Sequence, residues 1–115
     1  MSVTIYHNPR CSKSRATLAL LEEKGVEPQI VEYLGTPPSR DEMIRILEGL
    51  AMAPRDLMRK KEKPYTELNL GDDSMGRDAL IDAILENPIL MERPVVVKDG
   101  KYAIGRPPEN VLEIL

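Results

Sequence analysis

Residues 8–15 read NPRCSKSR and hold the chain's single cysteine, Cys11, with Arg10, Lys13 and Arg15 around it. A lone cysteine is ordinarily a small, buried core residue. This one follows an Asn-Pro turn and precedes a helix-forming run, which places it at a helix N-terminus. There, unpaired backbone N–H groups and the positive end of the helix dipole favour thiolate over thiol. The charges agree, since no Asp or Glu occurs before Glu22. His7, just ahead of the turn, can add a hydrogen bond or a charge. The chemistry these residues suggest is that of a nucleophilic thiolate.

Spacing narrows that chemistry. Ser14 stands where a CxxC dithiol has its second sulfur, so a mixed disulfide at Cys11 can be resolved only by an external thiol. A cysteine-phosphatase loop carries an arginine six residues after its nucleophile, and here that residue is Thr17. Three arginines lie farther along: Arg59 in LMRKK, Arg93 in ERPVVV and Arg106 in GRPPE. Guanidinium groups gathered around a thiolate hold a tetrahedral oxyanion through bidentate hydrogen bonds. Taken singly, each arginine reads first as a solvated surface residue and only second as a ligand; Lys60, Lys61 and Lys63 read as solvated.

The elements that must position these groups are legible in outline. VTIYH at 3–7 reads as a strand. Ser12 to Lys24 reads as a helix with Ala16, Leu18, Leu20 and Leu21 as its apolar content, stopped by Gly25. QIVEY at 29–33 reads as a second strand, parallel to the first through a right-handed βαβ crossover. After Pro37-Pro38, Ser39 and Glu42 form a capping box for a helix to about Leu50, with Met43, Leu47 and Leu50 on one face. Pro54 opens a short helix carrying Leu57 and Met58. A further helix spans about 77–86, with Leu80, Ile81, Ile84 and Leu85 inward. PVVVKDGKYAIG at 94–105 is a hairpin turning at Asp99-Gly100, a preferred type I′ pair. Pro107-Pro108 opens a last helix, with Val111 and Leu115 on one face.

This order predicts an α/β fold: a mixed four-stranded sheet flanked by helices, in the thioredoxin-like (glutaredoxin-like) arrangement. It forms one domain over 1–115, with an all-helical insert at about 39–87 ahead of the C-terminal hairpin. In that arrangement the loop before the third strand packs against the active cysteine, so Pro94 is a structural residue and Arg93-Pro94 a candidate cis peptide.

Composition sets the outer bounds. The chain has 115 residues and a formal net charge of −3, which argues against a nucleic-acid-binding surface. With one Cys and one His, a protein-only metal site would have to rest on carboxylates, so no metal is expected. A single cysteine excludes an internal disulfide and suits a reducing cytosol. No apolar h-region opens the chain and no apolar run nears a membrane span, so a cytoplasmic, non-membrane protein is expected, as a monomer.

The motifs YHNPRCSKSR, LMRKKE, NPILMERPVVV and IGRPPENVLEIL, in this order across nearly the whole chain, resemble the glutaredoxin-coupled arsenate reductases. These form a branch of the thioredoxin superfamily related to the Spx regulators, and CSKS resembles its shorter members. The resemblance implies that Cys11 is the nucleophile and that Arg59, Arg93 and Arg106 bind the oxyanion. His7, Arg10 and Ser14 then stand around the thiol, behind the groups that touch substrate. It implies an arsenate reductase taking As(V) to As(III), with glutathione as co-substrate, glutaredoxin as partner and no bound cofactor. Two alternatives share the fold: a glutathione-dependent thiol oxidoreductase with another substrate, and an Spx-like module that binds RNA polymerase. The missing second cysteine weighs against the latter.

Overall fold

The computed structural model describes residues 2–115. By internal contacts the chain falls into two compact units, residues 1–36 with 93–115, and residues 37–92.

The first unit holds β1 (Val3–His7), α1 (Ser12–Glu23), β2 (Gln29–Glu32), β3 (Val95–Lys98) and β4 (Lys101–Ile104). β1 lies parallel to β2, Ile5 opposite Ile30, and antiparallel to β3, Ile5 opposite Val96. β4 pairs antiparallel with β3, so the strand order is β2-β1-β3-β4, the mixed thioredoxin-like sheet the sequence predicts. Alternation along β1 sends Val3 and Ile5 to one face, where they meet Leu21, Val96 and Val111 in an aliphatic core. Gly25, at φ 78, ends α1 in the left-handed conformation that only glycine adopts freely. Asp99 and Gly100 both have positive φ, 51 and 77, as a type I′ turn requires.

The final helix differs from expectation. Pro108–Ile114 is a 3-10 helix, not an α-helix. Seven residues opened by two prolines have few i→i−4 bonds to gain, and the tighter turn aligns residues three apart. Val111 and Ile114 both pack on the core, with Leu115 beside them.

The second unit comprises α2 (Arg40–Leu50), a 3-10 turn at Pro54–Leu57, α3 (Lys63–Glu67), α4 (Arg77–Glu86) and a 3-10 turn at Pro88–Leu90. Ser39 caps α2, its hydroxyl oxygen accepting the Glu42 N–H at 3.2 Å. Met43, Ile46, Leu47, Ile81, Ile84 and Leu90 are fully buried. Leu85 and Leu50 are only half-buried, while Ala83 is buried: the inward stripe of α4 is rotated toward smaller residues. Arg40 joins α2 to α4 by ion pairs to Asp78, at 3.0 Å, and Asp82. α3, five residues with none buried, shows no periodicity for a sequence reading to find. Among the described residues no helix is long and apolar enough to cross a membrane.

Leu21→Ala, which empties a fully buried site in the first unit, is expected to lower stability by about 2–5 kcal/mol in urea denaturation. Ser39→Ala, which removes only a cap, should cost about 1 kcal/mol. Equal small losses would contradict the core assignment.

Candidate active site

The turn after β1 is built around Asn8, which is buried. Its carbonyl accepts the Cys11 N–H at 3.0 Å, and its side-chain oxygen accepts the Arg10 N–H at 3.0 Å. This Asx-type turn delivers Cys11 to the N-cap of α1, whose first bond runs from the Arg15 N–H to the Cys11 carbonyl at 3.0 Å. Ser14, fully buried, accepts the Asn8 N–H at 3.0 Å and shares a 2.6 Å hydrogen bond with His7 Nδ1. The residue in the second-thiol position therefore ties the end of β1 to the helix. Burial lowers the His7 pKa, with the Glu32 charge raising it and the Arg15 charge lowering it. His7 accordingly stays neutral near pH 7 and anchors Ser14, rather than adding the charge the sequence allowed.

The thiol of Cys11 is half-buried. Burial pushes its pKa up, but the backbone N–H of Ser14, the Arg93 guanidinium and the backbone N–H of Lys13 together bring it down to about 7. A free thiol titrates near ~8.5, so about half of the molecules carry thiolate at neutral pH. The neighbouring side chains do less than the sequence suggests. Arg10, Lys13 and Arg15 are exposed, and Arg15 donates to the Pro9 carbonyl at 2.9 Å. The cations that matter come from far along the chain. Arg93 is 7% exposed, and Arg106 Nη1 lies 3.8 Å from Cys11 Sγ and 3.3 Å from the Arg93 carbonyl.

Two residues to which the sequence assigned no part in the site, Thr17 and Gly105, hold these groups together. The Gly105 N–H donates to the Pro94 carbonyl at 2.9 Å, across the end of the hairpin. Thr17, fully buried on α1, places its hydroxyl 2.8 Å from the Lys13 carbonyl and 3.3 Å from the Gly105 carbonyl. A Cβ at Gly105 would collide with Thr17 Oγ1 and come within 2.9 Å of Pro94 Cγ and Thr17 Cγ2. Gly105 is thus what lets the segment carrying Arg106 lie flush against the cysteine helix. The only hint in the sequence is a glycine between strand and arginine. Arg93-Pro94, the candidate cis peptide, is cis, as is Arg106-Pro107.

Arg59 belongs to the second unit. Its backbone N–H donates to the Leu90 carbonyl at 2.6 Å, and the Glu92 N–H to the Leu57 carbonyl at 2.7 Å. Its guanidinium is ion-paired with Glu62 at 3.5 Å and Glu92 at 3.4 Å. Those two carboxylates were not picked out by the sequence reading.

Fold and site together define a thioredoxin-like protein with one cysteine, its thiol acidified by helix-end amides and arginine. The sequence model of the ArsC family matches residues 6–114, and the chain belongs to that family. It is 59% identical over 114 residues to the uncharacterized protein YfgD of Escherichia coli strain K12, covering 98% of this chain and 96% of that one. It is 48% identical over 114 residues to an arsenate reductase of Neisseria meningitidis serogroup A, covering 98% and 97%. The solved structure of an arsenate reductase from Vibrio cholerae superposes with a TM-score of 0.97 at 56% identity, over 100% of this chain and 98% of that one.

The iodoacetamide alkylation rate of Cys11 should rise through an inflection at about pH 7. Arg93→Ala should move that inflection up toward ~8.5, because a hydrogen-bonded cation no longer favours the thiolate. Gly105→Ala should move it the same way and also lower stability by about 1–3 kcal/mol through overpacking. An unshifted inflection in both variants would dismiss the arginine's role.

Proposed function

We propose that the protein is an arsenate reductase that works through Cys11, with glutathione and glutaredoxin as external reductants. The observation that carries this reading is Arg106 at 3.8 Å from a thiol that titrates at about 7. Arsenate reductases at 48% and 56% identity over nearly the full chain support it.

In the proposed reaction the Cys11 thiolate attacks As(V) and water leaves, forming a sulfur–arsenic bond. Arg93 and Arg106 neutralise the arsenate oxygens and the charge that develops on them. By resemblance, Arg59 shares this task. Glutathione then displaces a second oxygen as water. The two sulfurs join as a Cys11–glutathione disulfide, and the electron pair of their arsenic bonds stays on arsenic, which leaves as As(III). Glutaredoxin's thiol takes the glutathionyl group and returns Cys11 as a thiolate. Ser14 cannot take that part, which is why the resolving thiol comes from outside. The electrons come from thiols, so no metal or organic cofactor enters.

A second reading, a glutathione-dependent thiol oxidoreductase with another substrate, gains from one observation. The charge of Arg59 is already matched by Glu62 and Glu92, leaving less for a dianion.

NADPH oxidation coupled through glutathione reductase, glutaredoxin and glutathione separates the two. Arsenate-dependent turnover should vanish in Cys11→Ser and fall at least about tenfold in Arg93→Ala or Arg106→Ala. Turnover of glutathionylated thiols with none for arsenate would select the second reading.

A further inference from the structure

A cleft of ≈ 580 Å³ opens between the β1–α1 turn, up to the residue before Cys11, and the end of β2 with the residues after it; Arg10, Glu32, Leu34 and Gly35 are in its lining. Arg10 and Glu32 are both exposed and carry opposite charges into the same cleft. Neither side chain forms an ion pair or hydrogen bond among the described residues, with each other or with a third group. The charge of Glu32 is nevertheless felt at His7, its register partner on β1 and a residue of the same cleft.

A cation and an anion held apart in one cleft complement a zwitterion. A simple anion or cation would leave one of them unmatched and partly desolvated. The smallest common zwitterion is an α-amino-acid group, with ammonium and carboxylate on one carbon. Arg10 immediately precedes Cys11, whose thiol is half-exposed, so a ligand held at Arg10 is anchored one residue from the reactive sulfur. The proposed function calls for an external thiol at that sulfur, and glutathione carries a free α-amino-acid group at its γ-glutamyl end.

We propose that this cleft binds the γ-glutamyl end of glutathione, Arg10 taking the α-carboxylate and Glu32 the α-ammonium. Leu34, 41% exposed, covers the intervening methylenes. The proposal rests on the glutathione-dependent reading of the site, but it does not require that arsenate be the substrate.

The test is thiol–disulfide exchange without arsenate. The Cys11 thiolate attacks one sulfur of glutathione disulfide, forming the Cys11–glutathione disulfide and releasing one glutathione thiolate. The comparison reagent is the disulfide of the des-amino analogue, glutaryl-cysteinyl-glycine, which keeps the carboxylate and lacks the ammonium. Glu32→Gln is the informative variant because two effects have opposite signs. Both disulfides are net anions, so removing a negative charge accelerates both through the long-range field alone. Losing an ammonium contact slows only glutathione disulfide.

The expected result is a fall of about fivefold to tenfold for glutathione disulfide in Glu32→Gln, with the des-amino analogue no slower than in wild type. Arg10→Gln should slow both. Unchanged or faster exchange with glutathione disulfide in Glu32→Gln, an equal fall for both reagents, or no exchange in wild type would each overturn the proposal. Because arsenate is absent, a failure here leaves arsenate turnover to be judged separately, and a failure of turnover leaves this result intact.

Discussion

The charge on Cys11 is held against its own desolvation. Burial is the largest single influence on this thiol, and it opposes ionisation. The donors that reverse it are therefore the condition on which the site depends. Two are backbone amides, at Lys13 and Ser14, and exist because α1 begins here. The third is a guanidinium from the loop ahead of β3, and Arg106, from beyond β4, closes the group at 3.8 Å. Helix start, hairpin and flanking loops thus have one point of convergence. The Asp99-Gly100 turn returns the chain to it, and the missing side chain at Gly105 permits the last close approach.

A single sulfur shapes what surrounds it. In a dithiol protein the residue three beyond the nucleophile performs chemistry. Here Ser14 is buried in a hydrogen-bonded chain from Asn8 through its hydroxyl to His7. That chain ties the turn to α1, and with no second cysteine in the sequence there is no internal route for resolving a disulfide. Any thiol that resolves a disulfide at Cys11 has to come from solvent, to which Cys11 is half-exposed.

The parts legible in the sequence are those whose determinants are local. β1, the extent of α1, the Ser39 cap and the type I′ hairpin each follow from adjacent residues and a named turn or cap, and each lies where expected. Parts that depend on distant packing were less accessible. The cations packed around Cys11 in sequence suggested the source of its acidity. In three dimensions Arg10, Lys13 and Arg15 are exposed and none is among the groups that acidify the thiol; Arg93 does that with two amides. Thr17 and Gly105 meet only through tertiary packing, so neither composition nor spacing marks them. The pairing of Arg59 with Glu62 and Glu92 joins residues 33 positions apart at its longer reach, which no helical or strand period encodes. The last helix was readable in position but not in type, because a 3-10 turn and a short α-helix share the same proline start.

The central claim is that the arginines and the ionised sulfur form one anion site. Protection of Cys11 from iodoacetamide by added arsenate, at a pH near 7 and without glutathione, addresses it most directly. Saturable protection in wild type that weakens in Arg93→Ala and in Arg106→Ala is the result this account requires. Alkylation that proceeds at the same rate at every arsenate concentration, with the thiol still titrating near 7, would contradict it.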